Sequence, residues 1–260
     1  MSYIGYEQLV VNKEGKVVVI EFNNPAKKNC VNYAGYAELT RALTEANDDD
    51  GVTIVVITGK GEYFTAGNQL SPMNNIDNLE GYLKKTSAIF KNLINTFINC
   101  KKVILALVNG PAIGVGATIA SLADVAWCAE EAYFYTPFCK LGLAPEACSS
   151  VTFPLIMGRS KATEMLVLNE KLSADEAYHY HLVSRIYKLS ELDTVVWPKI
   201  HEFSELPPNT MKTCKRLIHS PLREKLEKAN IEECEAVYNN MFQDEFYQAI
   251  TNFLTRKSKL

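Results

Sequence analysis

The spacing of apolar residues along the chain predicts strands that alternate with helices. Short runs rich in β-branched residues indicate strands at 16–23, 52–58, 103–108, 125–129 and 132–135. Apolar positions at helical spacing indicate helices at 33–47 and 79–99, and the small residues of 114–124 indicate a third, closely packed helix. Ser173 and Glu176 have the spacing of a capping box, so we expect a helix to begin there. This alternation is typical of an α/β architecture.

The final part of the chain has a different pattern. From about residue 207 apolar residues recur at helical spacing almost to the end, which predicts a pair of long amphipathic helices. We therefore divide the chain into a core, 1–200, and a C-terminal helical region, 201–260. The apolar faces of that region need a surface to pack on, either its own core or a neighbouring subunit.

Composition and charge exclude several classes of protein. The chain has 260 residues and a net charge of −3, so we expect no nucleic-acid partner. No apolar run reaches the roughly 20 residues of a membrane-spanning helix. The seven cysteines form no C-x-x-C pair and the four histidines lack ligand spacing, so we expect no metal. The glycines at 110, 114 and 116 do not complete a dinucleotide fingerprint, because position 119 is Ile.

Three segments carry residues suited to chemistry. In 63–70 and 108–116, a strand end is followed by a glycine-containing turn before a predicted helix. Such turns leave backbone N–H groups unpaired, and two of them side by side would stabilise one oxyanion. The third segment, 136–150, places Glu146 after a proline and before small residues, and a carboxylate in apolar surroundings acts as a general acid or base. Each feature is also common as ordinary structure, so spacing alone leaves open an oxyanion-stabilising enzyme and a set of structural turns.

Together the three segments resemble the crotonase (enoyl-CoA hydratase/isomerase) superfamily. Residues 64–68 (Phe-Thr-Ala-Gly-Asn) correspond to its F-x-x-G-[AN] block, and 109–114 (Asn-Gly-Pro-Ala-Ile-Gly) to its N-G-x-A-x-G block. The resemblance runs from about residue 10 to 256, and segment 136–150 is similar to the peroxisomal Δ3,Δ2-enoyl-CoA isomerases. It implies a ClpP-like spiral of ββα units with C-terminal trimerisation helices. We therefore expect a homotrimer, or a hexamer made of two trimers.

The resemblance also implies the residues of the site. It assigns the oxyanion hole to the backbone N–H groups of Asn68 and Val115, and the catalytic acid/base to Glu146. The residues that it places against the acyl-CoA substrate are Ala26, Lys27, Lys28, Ala66, Gly67, Gln69, Leu70, Gly114 and Phe138.

The sequence departs from the family pattern at two places, and the first of them limits which reaction we expect. Hydratases of the family use two glutamates to activate and protonate water, and those positions are Thr118 and Phe138 here. We therefore expect an isomerase that moves the double bond of a 3-enoyl-CoA to give 2-trans-enoyl-CoA, in β-oxidation of unsaturated fatty acids. Glu146 would take the C2 proton and return it at C4, with no cofactor beyond the CoA of the substrate. The oxyanion block reads Gly67-Asn68-Gln69 where the family usually has G-x-D.

Other functions remain open at this point. One is another crotonase-type reaction on acyl-CoA: dienoyl-CoA isomerisation, thioester hydrolysis or weak hydration. A dienoyl isomerase would need a second carboxylate beside Glu146. A different class is a non-catalytic acyl-CoA-binding protein that keeps the fold.

The two ends of the sequence carry further expectations. The tripeptide Ser258-Lys259-Leu260 has the form of a peroxisomal address, which predicts recognition by the import receptor and a location in the peroxisomal matrix. Some relatives in the isomerase branch carry an additional N-terminal acyl-CoA-binding domain. Because the resemblance begins near residue 10, we expect none here.

Overall fold

The computed structural model describes residues 3–70 and 76–257 and has the expected α/β architecture. Its strands are β1 (Leu9–Glu14), β2 (Val17–Phe22), β3 (Ile54–Gly59), β4 (Val103–Val108), β5 (Ala112–Ile113), β6 (Val125–Ala129), β7 (Tyr133–Tyr135), β8 (Leu172–Ser173) and β9 (Arg185–Tyr187). Its α-helices are α1 (Tyr33–Asp48), α2 (Leu79–Asn99), α3 (Val115–Leu122), α4 (Ser149–Leu166), α5 (Ala174–His179), α6 (Trp197–Ser204), α7 (Pro208–His219), α8 (Arg223–Asn240) and α9 (Asp244–Lys257).

The larger sheet has the strand order β1-β2-β3-β4-β6-β9. β1 and β2 form an antiparallel hairpin, and every later neighbour pairs in parallel. Parallel neighbours need a crossover connection, which α1, α2 and α3 supply between successive strands. All six residues of β3 are buried, because apolar clusters cover the sheet on both faces.

A small second sheet lies beside the first and has the order β5-β7-β8. Ile113 of β5 pairs with Tyr135 of β7, and the next amide, that of Gly114, donates to the Tyr135 carbonyl at 2.8 Å. This pairing fixes the turn that leads into α3.

Side-chain caps begin several of the helices where the sequence predicts them. Asn32 accepts a hydrogen bond from the Gly35 amide at 3.1 Å and so begins α1. The predicted capping box at the start of α5 is confirmed. The Ser173 hydroxyl accepts from the Glu176 amide at 3.2 Å, and the Glu176 carboxylate accepts from the Ser173 amide at 3.0 Å.

The predicted strands and helices are all present, and their ends differ from the predicted ones by at most two residues. The apolar pattern did not indicate α4, which contains Pro154 and is interrupted at Gly158 (φ 77°, ψ 158°). Nor did it indicate β5 and β8, which are two residues long and exist only because they pair with β7. Between residues 207 and 257, where a pair of long helices was predicted, the chain forms three helices, α7 to α9.

The C-terminal helices differ in how they meet the core. Asn230 of α8 is fully buried and donates to the Lys91 carbonyl of α2 at 2.9 Å, which fastens α8 to the core. α7 has no buried residue and exposes Leu217 and Ile218, by 58% and 71%.

The division of the chain at residue 200 stays a prediction. Within the described part of the chain, no helix is both long and apolar enough to cross a membrane.

Candidate active site

Two glycine turns, one in the chain segment after β3 and one after β4, are in contact with each other. Gly67, in the loop after β3, has φ +83°, and Gly114, just before α3, has φ +57°. A Cβ placed on Gly67 would lie 2.7 Å from the Ile113 carbonyl oxygen and 3.7 Å from the Gly114 Cα. Both the positive φ and this close approach require glycine at 67.

Parallel bridges hold the first turn in place. The Val31 amide donates to the Gly67 carbonyl at 2.9 Å, and the Gln69 amide donates to the Val31 carbonyl at 2.8 Å. In a parallel bridge of this kind the amide of the middle residue, Asn68, points away from Val31. On the other side of the loop, the Ile113 amide donates to the Thr65 carbonyl at 2.9 Å, so the loop is tied to both neighbouring segments.

The amides that follow the two glycines have no hydrogen-bond partner among the described residues. The backbone N–H groups of Asn68 and Val115 donate to no acceptor within residues 3–70 and 76–257. Val115 is the first residue of α3, so its amide also lies at the positive end of the helix dipole. Two unpaired amides on adjoining backbone turns can stabilise one negatively charged oxygen.

A cavity that opens to solvent lies next to these turns. Its walls come from α1, α2, α8 and the loops that carry Asn68 and Glu146. The lining residues are Tyr33, Tyr36, Asn68, Leu83, Thr86, Ser87, Phe90, Glu146, Cys234, Val237, Tyr238 and Met241. A mainly apolar cavity with a few polar groups is typical of a small-molecule site.

Glu146 is the acidic residue among those that line the cavity. It lies in the loop between the short 3₁₀ helix Cys139–Leu141 and α4, and no described residue donates a hydrogen bond to its carboxylate. Burial raises the pKa of this carboxyl to about 8, and the negative charge of Glu233 adds to the rise. A pKa near neutrality suits a group that must both take and return a proton.

Glu233 is a functional candidate that the sequence pattern did not single out. It is buried on α8 and accepts hydrogen bonds from the backbone amides of Cys148, at 2.6 Å, and Ser150, at 2.8 Å. A signal was present, since positions 226, 229, 230, 233 and 234 form the buried face of α8. A glutamate on a buried helix face needs hydrogen-bond donors or a positive charge nearby. Its position on that face could therefore have marked Glu233 as a functional candidate.

The residues expected to contact CoA form a turn beside the oxyanion loop. Ala26 and Lys27 belong to the exposed 3₁₀ helix Pro25–Lys27, and Lys28 follows it with its Nζ 5.0 Å from the centre of the Tyr63 ring. The Lys28 carbonyl accepts a hydrogen bond from the Ala66 amide at 2.9 Å. The lysine turn and the loop that carries the Asn68 amide are therefore in direct contact.

The remaining predicted residues are less close to the cavity. Gln69 is exposed and Leu70 partly exposed, and neither lines the cavity. Phe138 is buried in the main apolar core, away from the cavity wall. Thr118 is buried within α3, where its hydroxyl donates to the Val115 carbonyl at 3.2 Å. Among the described residues, no group of three or more His, Cys, Asp or Glu side chains could hold a metal ion.

Comparison with known proteins gives a consistent set of relatives. The family model described as "Enoyl-CoA hydratase/isomerase" matches residues 12–259. Human "Enoyl-CoA delta isomerase 2" is 41% identical over 258 residues, which cover 98% of this chain and 65% of that protein. Mouse "Enoyl-CoA delta isomerase 3, peroxisomal" is 38% identical over 254 residues, which cover 97% of this chain and 80% of that protein.

A solved structure has the same fold. The crystal structure of an enoyl-CoA hydratase/isomerase from Pseudoalteromonas atlantica T6c superposes with a TM-score of 0.86 at 29% identity. The superposition covers 96% of this chain and 98% of that one. The present chain thus matches the bacterial protein over nearly its whole length, but it spans less than two thirds of the human relative.

Proposed function

The chain belongs to the enoyl-CoA hydratase/isomerase family and has the crotonase fold, and from this premise we propose that it isomerises 3-enoyl-CoA to 2-trans-enoyl-CoA. The observation that carries the proposal is the position of Glu146. This single carboxylate, with a pKa near 8, lines the same cavity as Asn68, whose free amide adjoins that of Val115. The names of the human and mouse relatives, both enoyl-CoA delta isomerases, support the same reaction.

The proposed reaction begins with removal of a proton from C2 of the substrate. That carbon lies between the thioester carbonyl and the alkene, so loss of its proton gives a dienolate with negative charge on the thioester oxygen. The amides of Asn68 and Val115 bind this oxygen, and each such donor contributes about 3 kcal/mol at the transition state. The C2–H bond breaks and its proton moves to Glu146.

The reaction ends with return of the proton at C4. Glu146 gives up the proton it took, a C4–H bond forms, and the double bond now lies between C2 and C3, in conjugation with the carbonyl. No electron leaves or enters the substrate overall, and the carboxylate is regenerated. The apolar and aromatic walls of the cavity keep water away from the dienolate.

The residues at the two hydratase positions support isomerisation rather than hydration. Hydratases of the family use two glutamates, and here the side chains are those of Thr118 and Phe138, both buried and neither a carboxylate. Glu233 is a second carboxylate near Glu146, as a dienoyl isomerase would need. Both of its oxygens, however, accept backbone hydrogen bonds, and it does not line the cavity.

The CoA portion of the substrate has a matching surface. The exposed turn Ala26-Lys27-Lys28 supplies two positive charges for phosphate groups and is tied to Ala66 through the Lys28 carbonyl. The close approach of Gly67 and Gly114 leaves room for the thioester end of the substrate to reach the oxyanion amides. Gln69, Leu70 and Phe138 do not line the cavity, and we propose that they contact the acyl or pantetheine portion of the substrate elsewhere.

We also propose the assembly and the location. The exposed Leu217 and Ile218 of α7 support association into a homotrimer or hexamer, which light scattering on the purified protein would measure. The name of the mouse relative includes the word peroxisomal, which supports the peroxisomal matrix. The tripeptide Ser258-Lys259-Leu260, proposed to bind the import receptor, lies outside the described residues, and its deletion would test import.

A substrate comparison tests the proposed function. Purified protein is given trans-3-hexenoyl-CoA, trans-2-hexenoyl-CoA and a 3,5-dienoyl-CoA in separate assays, each followed by absorbance. The proposal predicts rapid conjugation of the first substrate and little hydration of the second. Faster turnover of the dienoyl substrate would favour dienoyl isomerisation. Binding of all three CoA esters without turnover would favour a binding protein.

A further inference from the structure

Glu233 is a buried carboxylate that the proposed reaction does not use. It is 6% exposed and lies on the face of α8 that packs against the core, beside Asn230 and Cys234. An ionisable group in such a place is costly unless its hydrogen bonds are satisfied. The groups that donate hydrogen bonds to Glu233 therefore indicate which part of the structure it stabilises.

Both carboxylate oxygens hold the backbone that follows Glu146. Oε2 accepts the Cys148 amide at 2.6 Å, and Oε1 accepts the Ser150 amide at 2.8 Å. α4 begins at Ser149, so the negative charge also meets the positive end of that helix. Hydrogen bonds to an ionised carboxylate at this distance are of the stronger kind.

The backbone held in this way has a conformation that needs support. Ala147 and Cys148 have φ of +55° and +63°, the left-handed region, which costs a residue with a side chain about 1–2 kcal/mol. A second tie to α8 lies at the same point, where the Cys148 Sγ lies 3.3 Å from the Leu226 carbonyl oxygen. Without contacts to α8, the two residues after Glu146 would relax toward ordinary conformations.

We propose that Glu233 is a positioning residue for Glu146: through the amides of Cys148 and Ser150 it holds the loop in the conformation that presents the Glu146 carboxylate to the cavity. The proposal rests on the proposed function in taking Glu146 as the base. It assigns a distant part of the chain, 87 positions further on, to the alignment of the reacting group.

The negative charge of Glu233 also acts on the protonation of Glu146. Burial raises the pKa of Glu233, and hydrogen bonds from the Ser150 hydroxyl and from the amides of Ser150 and Cys148 oppose that rise by favouring the ionised form. The Glu146 carboxylate accepts no hydrogen bond from the part of the chain that the structure describes. Glu233 therefore ionises first, and its charge helps to hold the Glu146 proton to higher pH. Removal of the charge at 233 is expected to lower the pKa of Glu146.

Other groups near Glu146 do not produce this effect. The titratable side chains around it, from α1, α2 and α8, are Tyr33, Tyr36, Lys91, Cys234 and Tyr238. Burial raises the pKa of Tyr33 and Tyr36, and that of Cys234 to about 12, so these three stay neutral while Glu146 titrates. Lys91 is exposed on α2.

The test compares Glu233→Gln and Glu233→Asp with the wild type, and Glu235→Gln, an exposed acid on the same helix, is the matched control. kcat, KM and the pH dependence of kcat/KM are measured with trans-3-hexenoyl-CoA, together with the thermal midpoint. For Glu233→Gln, we expect a kcat about 10–100-fold lower because the base is misplaced, a KM within about 3-fold, and a pH midpoint below that of the wild type. Glu233→Asp keeps the charge but shortens the reach, so kcat should fall while the midpoint stays near that of the wild type.

Two outcomes would overturn the proposal. One is that both variants keep the wild-type kcat and pH midpoint and lose only thermal stability, since Glu233 would then be structural. The other is that Glu235→Gln changes kcat as much as Glu233→Gln does. If Glu233→Gln does not fold, the kcat of Glu233→Asp decides by the same criteria.

A direct titration separates failure of this proposal from failure of the proposed function. The carboxyl carbon of Glu146 is followed by ¹³C NMR in glutamate-labelled protein, with its signal assigned by Glu146→Gln. This measurement needs no turnover, so it decides even if no CoA ester is isomerised. A lower titration midpoint of Glu146 in Glu233→Gln supports the proposed action of Glu233 on Glu146. An unchanged midpoint overturns it.

Discussion

Gly67 and Gly114 lie in backbone contact: a Cβ on Gly67 would be 3.7 Å from the Gly114 Cα and 2.7 Å from the neighbouring Ile113 carbonyl oxygen. Each of these glycines directly precedes one of the two unpaired amides, those of Asn68 and Val115. Their contact therefore sets the separation of the two donors proposed to bind the thioester oxygen. A change at either glycine should alter catalysis before it alters the fold.

The first prediction concerns Gly67→Ala. The new methyl group would push the Asn68 loop away from Ile113, so we expect a kcat about 100-fold lower, the usual effect of losing one oxyanion donor. Gly15→Ala is a matched control, because Gly15 also has positive φ (+60°) but no atom within 4 Å of an added Cβ. Steady-state kinetics of both variants checks the prediction, and equal losses in the two would contradict it.

The second prediction concerns the pH dependence of the wild type. Glu146 acts as a base only when ionised, and its pKa is raised to about 8. Below that pH the free enzyme holds a protonated Glu146, so kcat/KM should fall about tenfold for each unit of decreasing pH and level off above pH 8. A kcat/KM profile that is flat from about pH 6 to about pH 9 would be inconsistent with Glu146 as the base.

The third prediction concerns the stability of Glu146→Gln. A glutamate pKa raised in the folded state makes folding less favourable as pH rises from the unfolded value, 4.5, through about 8. The glutamine variant lacks this penalty, so at about pH 9 its free energy of unfolding should exceed that of the wild type by on the order of 1 kcal/mol or more. At about pH 4 the two proteins should differ little. Urea unfolding at both pH values measures this, and a glutamine variant that is less stable at the higher pH would refute it.

The fourth prediction concerns the attachment of α7. The Asp124 carboxylate is largely buried and accepts hydrogen bonds from Lys215 Nζ and the Ile104 amide, both at 2.6 Å, while His219 Nε2 lies 2.7 Å from its other oxygen. Asp124→Ala removes the negative charge beside the buried Lys215 ammonium and leaves it only the Lys102 carbonyl, at 2.6 Å, so we expect a loss of about 3–5 kcal/mol in the free energy of unfolding. Glu232→Ala, in an exposed pair with Lys228, should cost less than about 1 kcal/mol.

Local sequence was sufficient for the elements that are uniform along their length. β3 and β4 are almost fully buried, so their apolar runs predicted them directly. The capping box at Ser173 and the two glycine turns depend on residues a few positions apart, which a sequence displays as motifs. Glu146 was found through its motif, but its raised pKa depends on walls from α1, α2 and α8 that no local pattern brings together.

The features that sequence did not predict depend on distant contacts. Glu233 caps a backbone segment that begins 85 residues earlier, and its own helix is rich in exposed acids. Tyr238 and Met241 form part of the cavity wall because α8 packs across α2, a pairing that helical periodicity does not specify. Phe138 packs in the main core, which its motif does not show, and its contact with the substrate stays a prediction.

The most direct test of Glu146 as the catalytic base is the activity of Glu146→Gln. The variant keeps the shape of the side chain and removes only its ability to take a proton, and Glu131→Gln, an exposed acid, serves as the control. With trans-3-hexenoyl-CoA, we expect a kcat at least about 100-fold lower for Glu146→Gln, with binding of the CoA ester retained and the control unchanged. Wild-type turnover by Glu146→Gln would contradict the account, because the cavity would then hold no carboxylate to move the proton.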